Sequence, residues 1–446
     1  MAITPWQFLV FGAALGLRLY GGDIALAGYG LLALYALSGY RQVIQALAVS
    51  CLLSQINPGL LVDPAPVSAL GSVAVVLASG LSVGLRKLRA RRTVLPAATA
   101  ATILLTLFMV VNAIFVSYQT DVSLFKAIYF SLIFLSLLGA WNGLLPEKHR
   151  QLVNWIYVFL LAIVVASLPL AVTAVGFLRN GSGFQGVLSH PQVFGSLAGV
   201  LAAWTTARLL ASRVPSLPNL GLMAVLALAV VASEARTGGL ALIAALAGVL
   251  LAFSLGTRKS FLSYAPGLAS GRFWAAALVG LLLLIAAWTV VAGAMTDYLF
   301  KRSNVESLEE AMDMSRGRLV REMWANIEET PFTGIGFGVA SNPSELIVKR
   351  DPVFDLPISA SIEKGVLPLA VLEELGLFGA LLVAWWLLTL LGKPYRAGLT
   401  PLAVSFAILA TNLGEYTLFA PNGNGLILLV VLTAMATITP ATMPAS

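Results

Sequence analysis

Four stretches of this 446-residue chain hold residues whose types and spacing suit chemistry. In SEARTGGLALIAALAG, residues 233–248, two apolar runs meet with almost no linker, and Arg236 stands at a hydrocarbon boundary. A charge there costs roughly 2.5–3.5 kcal/mol if it reaches the membrane centre, and less if the side chain can snorkel. Either Glu234 neutralises Arg236, or Arg236 is a fixed cation for an anionic ligand. In SRGRLVREMWANIEETPFTGIGFG, residues 315–338, Arg316 precedes Val320 by one helical turn, at the margin of an apolar stripe, while Arg318 and Arg321 are either solvated or ligand-facing. In SIEKGVLPLAVLEELGLFGALLVAWW, residues 361–386, Glu363 and Lys364 form a neighbouring pair, solvated or offering an acid/base group beside a pocket. In GFQGVLSHPQVFGSLAG, residues 183–199, His190 precedes Pro191, where a helix can start. His190 is then an interfacial helix-starting residue or a substrate contact.

Taken together, these residues suit transfer from a lipid-linked diphosphate. Fixed guanidiniums pair bidentately with phosphate oxygens and offset the charge that develops on a leaving group. A carboxylate can accept the proton of an incoming sugar hydroxyl. With a lipid tail in the bilayer and a glycan in water, such a site has to lie at membrane level. No P-loop or dinucleotide fingerprint is present. One cysteine and two histidines leave no thiolate cluster or histidine-based metal site, so neither metal nor cofactor is expected.

The elements that must position these residues are membrane helices. Hydrophobic residues make up 59% of the chain and charged residues 11%, with a mean hydropathy of +0.91; soluble domains carry about a quarter charged residues. Apolar runs recur near 5–17, 23–38, 43–62, 67–85, 95–117, 122–144, 152–176, 191–211, 218–233, 236–256, 273–294, 368–392, 398–414 and 424–441. Counting the short first run as spanning or re-entrant, the sequence predicts an all-α polytopic membrane protein of 12–14 transmembrane helices. Gly12/Gly16 and Gly195/Gly199 have the small-xxx-small spacing of close helix packing.

Alternate connections carry the basic residues, including RKLRARR at 86–92 and KPYR at 393–396. The net charge of +7 therefore reads as orientation among membrane lipids, not as a nucleic-acid surface. Both termini are predicted cytoplasmic, and the segment 295–364 faces outward, which in a bacterium is the periplasm. That segment holds 12 of the 20 acidic residues and eight of the 27 basic ones. Ser307 and Glu310 form a capping box that predicts a helix start near Leu308. Leu319, Met323 and Ile327, with Val320 and Trp324 beside them, form an apolar stripe on an amphipathic helix. Pro331 ends it, and GIGFG follows as a turn with exposed amides. The expected organisation is thus transmembrane helices over 1–294, a periplasmic loop over 295–364, and three further spans over 365–446.

Over about 183–380 the chain resembles the O-antigen ligase and polymerase superfamily of bacterial envelope glycan enzymes. The resemblance rests on G-x-x-x-H-P in GFQGVLSHPQ, S-x-x-R in SEART, Arg316 with its 15-residue lead to P-x-x-G-x-G-x-G, and E-x-G-x-x-G in EELGLFG. It implies a dozen or so spans with a large late periplasmic loop. It also implies an undecaprenyl diphosphate-linked glycan donor held by two arginines, here Arg236 and Arg316, a glycan or lipid-linked acceptor, and inversion without a required metal. Ligases of the superfamily carry a histidine before E-x-G-x-x-G; this chain has ISASIEK there, more like the polymerases. Lysine is a poor base at neutral pH unless desolvated. Glu363 is therefore the expected base, Lys364 and Arg318 further phosphate or substrate contacts, and His190 a residue that shapes the site. The competing class is a membrane transporter for a small solute or anion.

Overall fold

The computed structural model describes residues 5–63, 68–90, 95–179, 181–256, 261–286, 317–350, 355, 357–361, 364–420 and 423–439. Arg316, Glu363 and the expected Leu308 helix start lie outside the described residues. Among those described, the architecture is all-α, with fifteen α-helices and one small antiparallel hairpin. Seven helices are long and apolar enough to cross a membrane, and four more apolar helices of 13–16 residues accompany them. Large apolar side chains such as Phe8, Leu9, Leu107, Ile243 and Leu388 are more than half exposed, as lipid-facing residues would be.

The chain divides into two compact units that do not follow its linear order. The first contains α1 (Pro5–Tyr20), α2 (Ile24–Ala36), α3 (Tyr40–Ser54), α4 (Ser68–Ala90), α5 (Ala97–Phe115), α6 (Thr120–Asn142) and the start of α7 (Pro146–Ser167). A buried Gln7–Tyr35–Gln45 set satisfies polar groups of α1, α2 and α3, with Tyr35 donating to Gln45 at 2.7 Å. Inside a bilayer, where no water competes, such pairs hold helices together. At the α1–α2 contact the small residue is Gly28, whose absent Cβ leaves room for the Ala14 carbonyl. Gly12 and Gly16 have nothing close to them, so their spacing marks no helix crossing.

The second unit contains the rest of α7, α8 (Pro191–Ala211), α9 (Leu217–Ala232), α10 (Arg236–Gly256) and α11 (Gly271–Ala286). Helix α8 is buried along nearly its whole length, between α9, α10 and a later helix of the same unit. The Gly195/Gly199 expectation holds here. A Cβ on Gly199 would lie 2.4 Å from the Gly238 carbonyl oxygen, and one on Gly238 2.3 Å from that of Gly195. Only glycines allow two helix backbones to approach so closely.

After the segment outside the described residues, α12 (Arg318–Glu329) returns the chain to the first unit. It leads through the glycine turn to β1 (Ile347–Arg350) and β2 (Pro357–Ser361), which pair antiparallel with an irregularity at Lys349/Arg350. Helix α13 (Leu367–Ala397) begins in the first unit, and its residues from Lys393 onward belong to the second, as does α14 (Leu399–Thr411). Helix α15 (Asn424–Thr437) is buried on all sides against α3 and α6 of the first unit.

Candidate functional site

Helix α12 forms because Leu319, Val320, Met323 and Ile327 recur at helical spacing, and Met323 is fully buried. The stripe differs from expectation on one side. Trp324 is half exposed and donates to Glu328 at 2.7 Å, so it faces away. Asn326 takes the inner face instead: its amide nitrogen donates to the Glu373 Oε1 at 2.7 Å and to the Ser341 carbonyl at 2.9 Å. The helix ends at Glu329, two residues before Pro331.

The turn that follows is built on left-handed glycines, with φ of +70° at Gly334, +116° at Gly336 and +70° at Gly338. Its amides are not exposed as expected, because a break in α13 lies beside them. At Gly376 the backbone leaves helical geometry (φ +64°, ψ −172°), which only glycine adopts readily. The break frees the Glu373 and Glu374 carbonyls, which accept from the Ile335 and Gly336 amides at 2.8 and 3.0 Å. In return the Leu377 amide donates to the Pro331 carbonyl at 2.8 Å. Non-helical backbone at membrane depth is tolerated where protein satisfies it. The P-x-x-G-x-G-x-G and E-x-G-x-x-G motifs are thus two halves of one joint.

Side chains complete that joint. Phe337 is fully buried against Phe419, in an aromatic cluster with Phe130, Phe134 and Trp386. Asn112 of α5 grips the turn from below, donating to the Thr333 carbonyl and accepting from the Phe337 amide, both at 2.9 Å. Lys126 of α6 donates to the Gly338 carbonyl at 2.9 Å, and the Tyr118 hydroxyl to the Ala340 carbonyl at 2.8 Å.

At the centre is a charged cluster. Lys364 is 3% exposed, and its Nζ lies 2.6 Å from the Glu373 Oε2 and 3.2 Å from the Glu374 Oε1. The Glu374 Oε2 accepts from the Tyr416 hydroxyl at 2.7 Å and from the Gly338 amide at 2.9 Å. Both carboxylates are at most 1% exposed, and each is paired with Lys364 and hydrogen-bonded to a further protein group. Burial, reinforced by the Glu374 charge, raises the Tyr416 hydroxyl well above the ordinary phenol range. Burial likewise pushes Tyr118 up to about 12.

In the second unit, His190 is the N-cap of α8, its ring nitrogen accepting from the Gln192 amide at 3.1 Å with Pro191 at the first helical position. Arg236 is the first residue of α10 and is half-buried. The Gly195 and Ser233/Ala235 contact brings these two helix starts to one end of the unit. Glu234, in a left-handed turn, accepts from the Ser182 hydroxyl at 2.9 Å. The Phe184 amide donates to the Ala232 carbonyl, so the GFQG loop is fastened beside Arg236.

Arg318 stands at the surface, paired with Glu322 and Glu345. Of the expected site residues, His190 and Arg236 therefore share one corner of the second unit, while Lys364 sits in the buried cluster of the first. Asn112, Lys126, Asn326 and Tyr416 went unnoticed in the sequence. A lone asparagine and lysine inside apolar helices α5 and α6 were the available signal, since intramembrane polar residues have partners or functions.

Residues 221–384 match the family model described as O-antigen ligase. No curated protein matches the chain. The matched span covers Arg236, the glycine turn and the broken helix, and it supports the O-antigen ligase and polymerase superfamily.

Proposed function

Taking the O-antigen ligase and polymerase superfamily as the premise, we propose that this membrane protein is an inverting, metal-independent glycosyltransferase of the bacterial inner membrane. Its donor is an undecaprenyl diphosphate-linked saccharide and its active side is periplasmic, with both termini cytoplasmic. The acceptor is a hydroxyl of another lipid-linked repeat, or of a lipid or protein. Segment 295–364 is the periplasmic loop of this reading.

In the reaction, the bond between the anomeric carbon and the diphosphate oxygen breaks as the acceptor oxygen attacks from the opposite face. Glu363 takes the acceptor proton, and the electron pair of the broken bond leaves on the lipid diphosphate. Arg236 and Arg316 hold the diphosphate and offset that charge, with Arg318 a further substrate contact. His190, fixed as a helix cap beside Arg236, shapes the saccharide end.

The observation that carries this reading is the family match over 221–384, which includes both arginines. In purified protein supplied with a lipid diphosphate-linked saccharide and an acceptor, Arg236→Ala and Arg316→Ala are expected to abolish product. Full activity in either variant overturns the mechanism. A broken membrane helix beside buried charges also occurs in secondary transporters. Solute uptake into vesicles lacking any lipid-linked glycan would support that second reading.

A further inference from the structure

We propose that Lys364, Glu373 and Glu374 form a charge lock that positions the segment before α13 for catalysis, with Lys364 acting as its pin and not as a phosphate ligand. The inference rests on the reading that Glu363, the preceding residue in the chain, is the base.

The geometry of the cluster is that of a lock. The Lys364 ammonium is enclosed, and its two nearest charges are the carboxylates at 2.6 and 3.2 Å. Each carboxylate binds different elements. Glu373 reaches Asn326 on α12, and Glu374 reaches both Gly338 in the glycine turn and Tyr416 in the connection before α15. The same two residues offer their carbonyls to Ile335 and Gly336 through the break in α13. Lys364, three residues before α13 begins at Leu367, is thereby tied to the helix break, the turn and α12 at one point. A phosphate contact would require this ammonium to leave the two buried carboxylates it pairs with, which is strongly unfavourable.

Stability alone does not call for ions here. A whole buried ion cluster replaced by neutral groups is often no less stable, whereas removing one partner is costly. What paired charges add is a single defined arrangement, and a displacement of about 1 Å at a reacting group costs roughly a hundredfold in rate. The lock is thus expected to act on turnover through position.

The test uses the full-length protein in lipid nanodiscs with a lipid diphosphate-linked saccharide as donor. Three variants are compared with wild type: Lys364→Met; the neutral triple Lys364→Met/Glu373→Gln/Glu374→Gln; and the swap Lys364→Glu/Glu374→Lys. Melting temperature, kcat and donor KM are read for each. The single variant is expected to lose melting temperature. The neutral triple keeps most of it, because glutamine still accepts from Asn326, Gly338 and Tyr416, yet loses about a hundredfold in kcat with donor KM within about twofold. The swap restores part of kcat. A raised donor KM with kcat retained would make Lys364 a ligand and overturn the lock. So would a folded neutral triple with wild-type kcat. If all three variants unfold, Glu373→Gln is read in their place: a folded variant with unchanged kcat overturns the proposal, and reduced kcat at unchanged KM supports it. Failure of the underlying reading looks different: Glu363→Gln keeps full turnover, whatever the lock variants do.

Discussion

At the residue scale, the best-anchored side chain of the joint is Phe337. It carries the glycine turn into the aromatic cluster around Phe419 and Trp386. Phe337→Ala removes a buried ring and leaves a cavity, a loss of about 3–5 kcal/mol. The expected outcome is a large fall in melting temperature, with a wild-type value excluding the anchoring role. Tyr118 gives a prediction in pH. Its hydroxyl is held in the protonated form by burial, up to about 12, against about 10 in an unfolded chain. Because the folded value is the higher one, its contribution is complete below pH 10 and disappears as pH rises through about 12. Wild-type melting temperature is expected to drop across that window, and Tyr118→Phe, lower at neutral pH, to drop less. Equal slopes would remove Tyr118 as a cause. Residues of this kind were legible only in part. His190 as a helix start could be read from the following proline. The partners of Lys364 could not be, because Glu373 and Glu374 look like interfacial charges until the break in α13 turns them inward.

At the element scale, glycine positions decide how helices and turns meet, and the structure separates those that matter from those that only share a spacing. Gly376 holds α13 broken, and a Cβ there would lie 2.2 Å from the Phe332 carbonyl carbon. Gly376→Ala incurs about 1–3 kcal/mol of backbone strain and displaces the Pro331–Leu377 bond as well. Loss of turnover with a lowered melting temperature is expected. Normal activity would show that the break is dispensable. Gly238→Val would push α8 from α10 at their closest approach and disturb the corner holding His190 and Arg236, raising donor KM. Gly12→Ala meets nothing and gains helix propensity, so its melting temperature should not fall. Periodicity identified most of the helices, because a membrane helix announces itself by length and hydropathy. It could not tell that Gly12/Gly16 faces open space while Gly195/Gly199 faces a second helix backbone. Nor could it find the break in α13, since E-E-L-G reads as continuous helix until a turn from elsewhere in the chain supplies donors to the freed carbonyls.

At the scale of the whole molecule, composition alone separates a multi-pass membrane protein from a soluble one, and the order of short motifs pointed to the superfamily that residues 221–384 match. The two-unit division was not legible, since it regroups residues 316–392 and 412–437 with the first 153. Such grouping depends on tertiary contacts that no local pattern encodes. The same limit bears on the acceptor. Before E-x-G-x-x-G this chain has Glu363 and Lys364 and no histidine, and the structure encloses Lys364 between two carboxylates. The proposed function therefore admits two acceptors, a second lipid-linked glycan or another acceptor hydroxyl, and one phenotype separates them. If this protein polymerises repeats, surface glycan in a strain lacking it is expected to shorten to one repeat still attached to its normal carrier. Full-length polymer accumulating on the carrier lipid would instead assign ligation. Complementation with Arg236→Ala should reproduce the deletion phenotype in either case, which keeps the choice of acceptor separate from the identity of the donor site.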